Sequence, residues 1–373
     1  MNRSVSSPGR CGALSNLLLV LPLIVVAGSH QLRTQATQTV SAGGQEACPD
    51  AWRVEKVERG LDIKGIMRRH QIPGMSIAVI HDSRVACAKG YGATAKGGST
   101  HVTPTTLFLA GSISKPVAAV GALCLVQQGK ISLDEDVNLQ LKSWKVPDDE
   151  YTRQRKVTLR LLLSHTCGLT GGDFFPGYAV GKPLPSLPQI LDGVPPATNA
   201  PIRVGFEPGT RWHYSGDGYL VVQQLLMDVS GQSFPEFMRK AVFEKLGMND
   251  STYEEPLPAA RRASAAAGTL MNGEVVSGGW HVNPEMAAGG LWSTPRDLAR
   301  LAVDLALSAH GKASHVLTQS TARDLLTSQW KDGVVNRNVR GWPSALGAGF
   351  CPVCSLTLAG FSTPGRRITG HPL

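Results

Sequence analysis

The chain has 373 residues, 42% of them hydrophobic and 17% charged, with a formal net charge of +9. That balance excludes a disordered chain and leaves room for one large domain or two modest ones. The basic residues are scattered, with short pairs at Arg261-Arg262 and Arg366-Arg367. Without a basic stripe interleaved with aromatics, no nucleic-acid partner is expected.

At the N-terminus, Arg3 and Arg10 precede the apolar run Leu17–Ala27, which contains Pro22 and is followed by Gly28 and Ser29. The run is too short to span a bilayer comfortably, and small residues follow it. It reads as an export signal over residues 1–28, with an uncleaved anchor as the alternative. The expectation is a periplasmic or extracellular protein with no stable membrane insertion after cleavage. Residues 29–54, rich in Gln, Thr, Ser and Gly, read as a flexible lead-in.

A helix is predicted over Asp62–Gln71. Two strands follow, Met75–His81 and Arg84–Gly90, joined by a short turn at Asp82-Ser83 into a hairpin. Thr105–Gly111 is extended and runs into a helix from Pro116 to Gln128. Leu133–Asp136 reads as a loop and helix start, and Val157–Leu163 leads into Ser164–Leu169. The Pro- and Gly-rich stretch Gly171–Pro208 reads as a loop that lines or covers something. Further helices are predicted over Tyr219–Ser230, Phe234–Leu246 and Asp297–Ser308. Strands at the start, helices in the middle and no β-α alternation give an α+β fold, without internal repeats.

Seven cysteines are present, six of them beyond the export signal, and their spacing is not that of a disulfide scaffold. Cys87, Cys124 and Cys167 lie in apolar segments and read as small buried hydrophobes. Cys351 and Cys354 form a C-x-x-C with no second pair and no histidine cluster. No metal and no cofactor are therefore expected.

Ser112-Ile113-Ser114-Lys115 carries the most information. A serine and a lysine three apart on a helix share a face. Serine becomes a nucleophile when a neighbouring neutral amine takes its proton, and burial favours the neutral amine. The segment after Lys115, Pro116 to Val126, is apolar on almost every side, as in a buried helix. Pro116 fits a first helical turn and so places Ser112 at the helix start. There the positive end of the macrodipole favours a developing alkoxide. S-x-x-K is the motif of penicillin-binding proteins and serine β-lactamases.

Five segments then extend the likeness: Ile72–Val79, Phe108–Lys115, Val157–Leu169, Glu207–Tyr219 and Pro284–Pro295. In that order, from about residue 55 to about residue 350, the chain resembles the class C β-lactamase-like family of serine hydrolases. The resemblance implies an antiparallel sheet flanked by helices, with an inserted, mostly helical subdomain. It makes residues 55–350 the hydrolase domain. It implies Ser112 as the acylated nucleophile, Lys115 as its proton acceptor and Tyr214 as the tyrosine of the second motif, Y-x-N. A tyrosine relays protons where a nearby cation favours its phenolate. The implied partner is a small-molecule or peptide acyl substrate; the oligomeric state stays open.

The chain departs from the family at two places. Gly216 stands where the second motif has asparagine, which weighs against β-lactam hydrolysis in particular and leaves ester or peptide acyl transfer open. The third motif, K-T-G or H-x-G, is not found after Leu346–Phe350. Gly370-His371-Pro372 is either its first residues or a chance match, and chance is slightly favoured. Residues 351–373 read as a divergent tail, and the C-terminal strands as incomplete. In the family those strands join the N-terminal hairpin, and one supplies an oxyanion-hole N–H. Two functions follow: an exported serine acyl hydrolase, or a catalytically impaired or inactive truncated homologue that at most binds cell-wall material or a ligand. His165 reads as structural, because a Ser-Lys pair needs no histidine.

Overall fold

A computed structural model describes residues 23–27, 63–171, 175–270 and 272–329; for 23–27 it describes the backbone alone. The lead-in, Leu346–Phe350, the C-x-x-C cysteines and Gly370-His371-Pro372 lie outside the described residues.

The hairpin pairs β2 (Gly74–His81) with β3 (Arg84–Gly92) in antiparallel register from Gly74↔Gly92 to His81↔Arg84. Asp82 and Ser83 both sit at positive φ, 47° and 57°, the geometry of a two-residue turn whose twist matches the strands. On the other edge of β2 lies β1 (Leu23–Ala27), parallel, with Leu23↔Ser76 and Ala27↔Ile80. β1 is drawn from the apolar run read as an export signal, so the sheet is mixed rather than purely antiparallel.

Alternation along the strands gives the sheet two buried faces. Met75, Ile77, Val79 and Tyr91 pack with Ile63 and Met67 of α1 (Ile63–Arg69). Ala78 and Ala88 face the other way, onto Ala299, where small side chains allow a helix to lie close. Cys87 belongs to the α1 side and is disulfide-bonded. This corrects its reading as a plain hydrophobe: a half-cystine and a free thiol are equally apolar, so local composition does not separate them. Cys124 and Cys167 are free and buried, as expected.

The larger core surrounds α2 (Ser114–Gln127), which is buried on every side from Ser114 to Leu125. Gly121 makes that possible: a Cβ there would lie 2.4 Å from Met238 Sδ. Phe234–Leu246, expected as one helix, is α-helical over Phe234–Met238, π-helical over Arg239–Phe243 and α-helical again over Glu244–Leu246. The expected loop Gly171–Pro208 contains α3 (Leu187–Asp192), where a Ser186/Gln189 capping box starts a helix in spite of the surrounding prolines. α4 (Gly216–Ser230) begins at Ser215, whose Oγ accepts the Gly218 N–H, and ends at Gly231 in the left-handed region.

The last described elements close the molecule. α5 (Met286–Gly289) leads into a short strand, Trp292–Ser293, which pairs antiparallel with Phe108–Leu109. α6 (Pro295–Ala309), capped by Thr294, packs on the hairpin. This is an α+β architecture. No helix among the described residues is long and apolar enough to cross a membrane.

Replacing Gly121 by Val would overpack the contact with Met238. The expected loss is about 1–3 kcal/mol of unfolding free energy, measured by chemical denaturation.

Candidate active site

Ser112 lies in a 3₁₀ turn, Gly111–Ile113, between the Phe108–Leu109 strand and α2. Gly111 has φ 52°, a left-handed conformation that suits glycine, and it aims the chain out of the strand and into the helix. Pro116 falls in the first turn of α2, as its missing N–H requires. Ser112 is exposed while Lys115, one turn on, is only 3% exposed. The reactive oxygen thus faces solvent and the amine is shut in.

Three side chains meet here. The Lys115 amine donates to Ser112 Oγ at 3.1 Å and to the Ala288 carbonyl at 2.7 Å. The Tyr214 hydroxyl donates to Ser112 Oγ at 2.7 Å, across 102 residues of sequence. Lys115 Nζ also sits 4.9 Å from the centre of the Tyr214 ring, a cation–π distance. The structure therefore brings together all three residues named from the sequence.

Residues that sequence reasoning did not single out hold this group in place. Ser114 Oγ donates to the Gly111 carbonyl at 2.5 Å and accepts the Leu291 N–H at 2.9 Å. Tyr253 OH donates to the Ser114 carbonyl at 2.6 Å. Gln223, buried on α4, donates to the Pro284 carbonyl at 3.1 Å and accepts the Ala287 N–H at 3.0 Å. Those bonds fix the segment that presents Ala288 to Lys115. The available signal for Gln223 was the Gln223-Gln224 pair set between apolar residues of its helix.

His165 stays off the serine. Its Nδ1 accepts the Ser215 N–H at 3.1 Å, and its ring lies 4.6 Å from that of Tyr214. Burial, reinforced by the Lys115 charge, pushes its pKa down to about 3. It acts as a neutral spacer that positions Tyr214, the structural role expected for it.

The cavity in front of Ser112 has a volume of about 280 Å³. Phe108, Phe175, Trp280 and Trp292 supply its aromatic walls, and Gly216 lines it without a side-chain amide. Glu285 also lines it, with a carboxyl raised to about 7 by burial. Among the described residues, no group of three or more His, Cys, Asp or Glu is arranged to hold a metal ion.

A sequence profile of the family described as Beta-lactamase matches residues 61–352. The chain belongs to the Beta-lactamase family. It is 29% identical over 236 residues to penicillin-binding protein 4 of Amycolatopsis lactamdurans, covering 62% of this chain and 59% of that protein. It is 32% identical over 202 residues to the unguisins hydrolase ungD' of Aspergillus campestris, covering 51% of this chain and 35% of that one. The chain thus spans less than two thirds of either relative. Its fold matches that of the octameric penicillin-binding protein homologue from Pyrococcus abyssi, with a TM-score of 0.59 at 24% identity, over 76% of this chain and 62% of that one.

Because His165 is neutral when folded and ordinarily titrates near 6.5 when unfolded, the unfolded chain binds more protons between pH 6.5 and about 3. Stability falls as pH drops through that window. Thermal melts of His165→Asn should show a shallower acid-side loss than the wild type.

Proposed function

We propose that this chain is an exported serine acyl hydrolase that forms an acyl-enzyme on Ser112. The observation that carries the reading is the convergence of the Lys115 amine and the Tyr214 hydroxyl on one exposed serine oxygen. Those contacts are of hydrogen-bond length, the geometry that proton transfer needs.

In the acylation step Ser112 Oγ attacks the substrate carbonyl carbon and its proton passes to the Lys115 nitrogen. Tyr214 gives its phenolic proton to the leaving nitrogen or oxygen and recovers one from Lys115. The bond from carbonyl carbon to leaving group breaks, and the acyl group stays on Ser112. Water then attacks the ester, with the proton transfers reversed, and releases the acid. The N-terminus of α2 favours negative charge beside Ser112.

The hydrolase reading is supported by two relatives, one named as a penicillin-binding protein and one as a hydrolase of unguisins. Export is supported by the disulfide at Cys87, a bond that persists in oxidising compartments.

The test is intact-mass spectrometry after exposure to a serine-directed fluorophosphonate and, separately, to a fluorescent penicillin. A single adduct mapping to Ser112 is expected with at least one reagent, and none with Ser112→Ala. A folded protein that takes neither label sinks the reading in favour of the inactive homologue. Tyr214→Phe should keep the fold and lower kcat/KM for a chromogenic ester by about 10²- to 10⁴-fold.

A further inference from the structure

The wall of the Ser112 cavity contains one feature that the acyl-transfer steps do not use. Glu285, directly before α5, is 2% exposed and lines the cavity. Its Oε2 has no hydrogen-bond partner among the described residues. A buried carboxyl oxygen without a partner is costly, and such groups are ordinarily satisfied by protein, water or ligand.

The surroundings define what would satisfy it. Trp280 and Trp292 stand edge to face, with ring centres 5.1 Å apart, and both line the cavity. The indole N–H of Trp292 is committed to Glu255 Oε1 at 3.1 Å, which leaves its ring to face the cavity contents. His281 Nδ1 is bonded to the Pro176 carbonyl at 2.7 Å. Lys115 is the one Lys or Arg in the described lining, and its amine is engaged by Ser112 and Ala288. Aromatic faces with a single carboxyl among them are the setting that attracts an alkylammonium.

We propose that Glu285, with the rings of Trp280 and Trp292, forms a subsite for a substrate arm that carries a protonated amine. This rests on the reading of the cavity as an acyl-transfer site and names the class of substrate it takes. An ammonium donates to the unpartnered Oε2 and supplies the charge that the apolar wall lacks. Burial holds the free Glu285 carboxyl near 7, so its charged form is within reach at neutral pH once a cation compensates it. Its neighbour Glu255, raised further by burial to about 8, adds negative character behind the same wall when it ionises.

The test is a ligand-observed NMR titration of the full chain at pH 7.5 with phenethylamine and with phenethyl alcohol, its neutral counterpart. The amine should bind about tenfold tighter or more, the range of a charge-assisted hydrogen bond. Glu285→Gln should remove that preference. Equal affinity of the wild type for both probes, or no binding of the amine, overturns the proposal whether or not the variant folds. A preference that survives in folded Glu285→Gln also overturns it. Fluorophosphonate labelling of the same sample separates the two readings. Labelled Ser112 without amine preference sinks the subsite alone. Amine preference in a folded protein that takes neither the fluorophosphonate nor the fluorescent penicillin sinks the hydrolase reading and leaves Glu285 as an amine-binding site.

Discussion

The arrangement depends on one buried amine. Lys115 sits at the start of a helix with almost no solvent contact, and a nitrogen so placed must find its partners inside the protein. It has them in Ser112 Oγ and the Ala288 carbonyl, which are far apart in sequence and close only because α5 docks on the start of α2. Removing either partner would leave a buried donor unsatisfied. The same contact that stabilises the helix start therefore aims the amine at the nucleophile.

Around that contact the polar groups are arranged in layers. Ser114 ties the turn of Gly111 to the backbone at Leu291, Tyr253 holds Ser114 from the other side, and Gln223 braces the segment from Pro284 to Ala287. His165 does the same for Tyr214, through Ser215 and through ring contact. Each of these side chains is buried and bonded to backbone that carries or adjoins a functional residue. They restrict motion in the three groups that meet at Ser112, which is what preorganisation requires.

The acid side of the cavity follows a different rule. Glu255 and Glu285 are both raised by burial before any other influence, and their own hydrogen bonds offset only part of it. The clustering is thus a cost that the fold carries next to its site, not a stabilising network. Uncompensated buried groups of this kind concentrate where a ligand completes the environment.

Much of the fold and the centre of the site could be read from residues alone. Apolar β-branched content and the Asp82-Ser83 turn located the hairpin, and an all-round apolar segment located the buried helix, because those patterns are local. The S-x-x-K spacing placed Ser112 and Lys115 on one helix face for the same reason, and five ordered segments pointed to Tyr214. Local pattern failed where structure is set by distant contacts. The helix at Leu187–Asp192 was hidden by its prolines, the π-helical turn at Arg239–Phe243 has no local signature, and the bonded state of Cys87 depends on a partner elsewhere in the chain. That Gln223 braces a turn, that Ala288 receives the lysine and that Glu285 faces the serine's cavity are facts of tertiary proximity. Sequence determines which groups can donate, accept or ionise; only the packed chain decides which of them meet, and how much water is left between them.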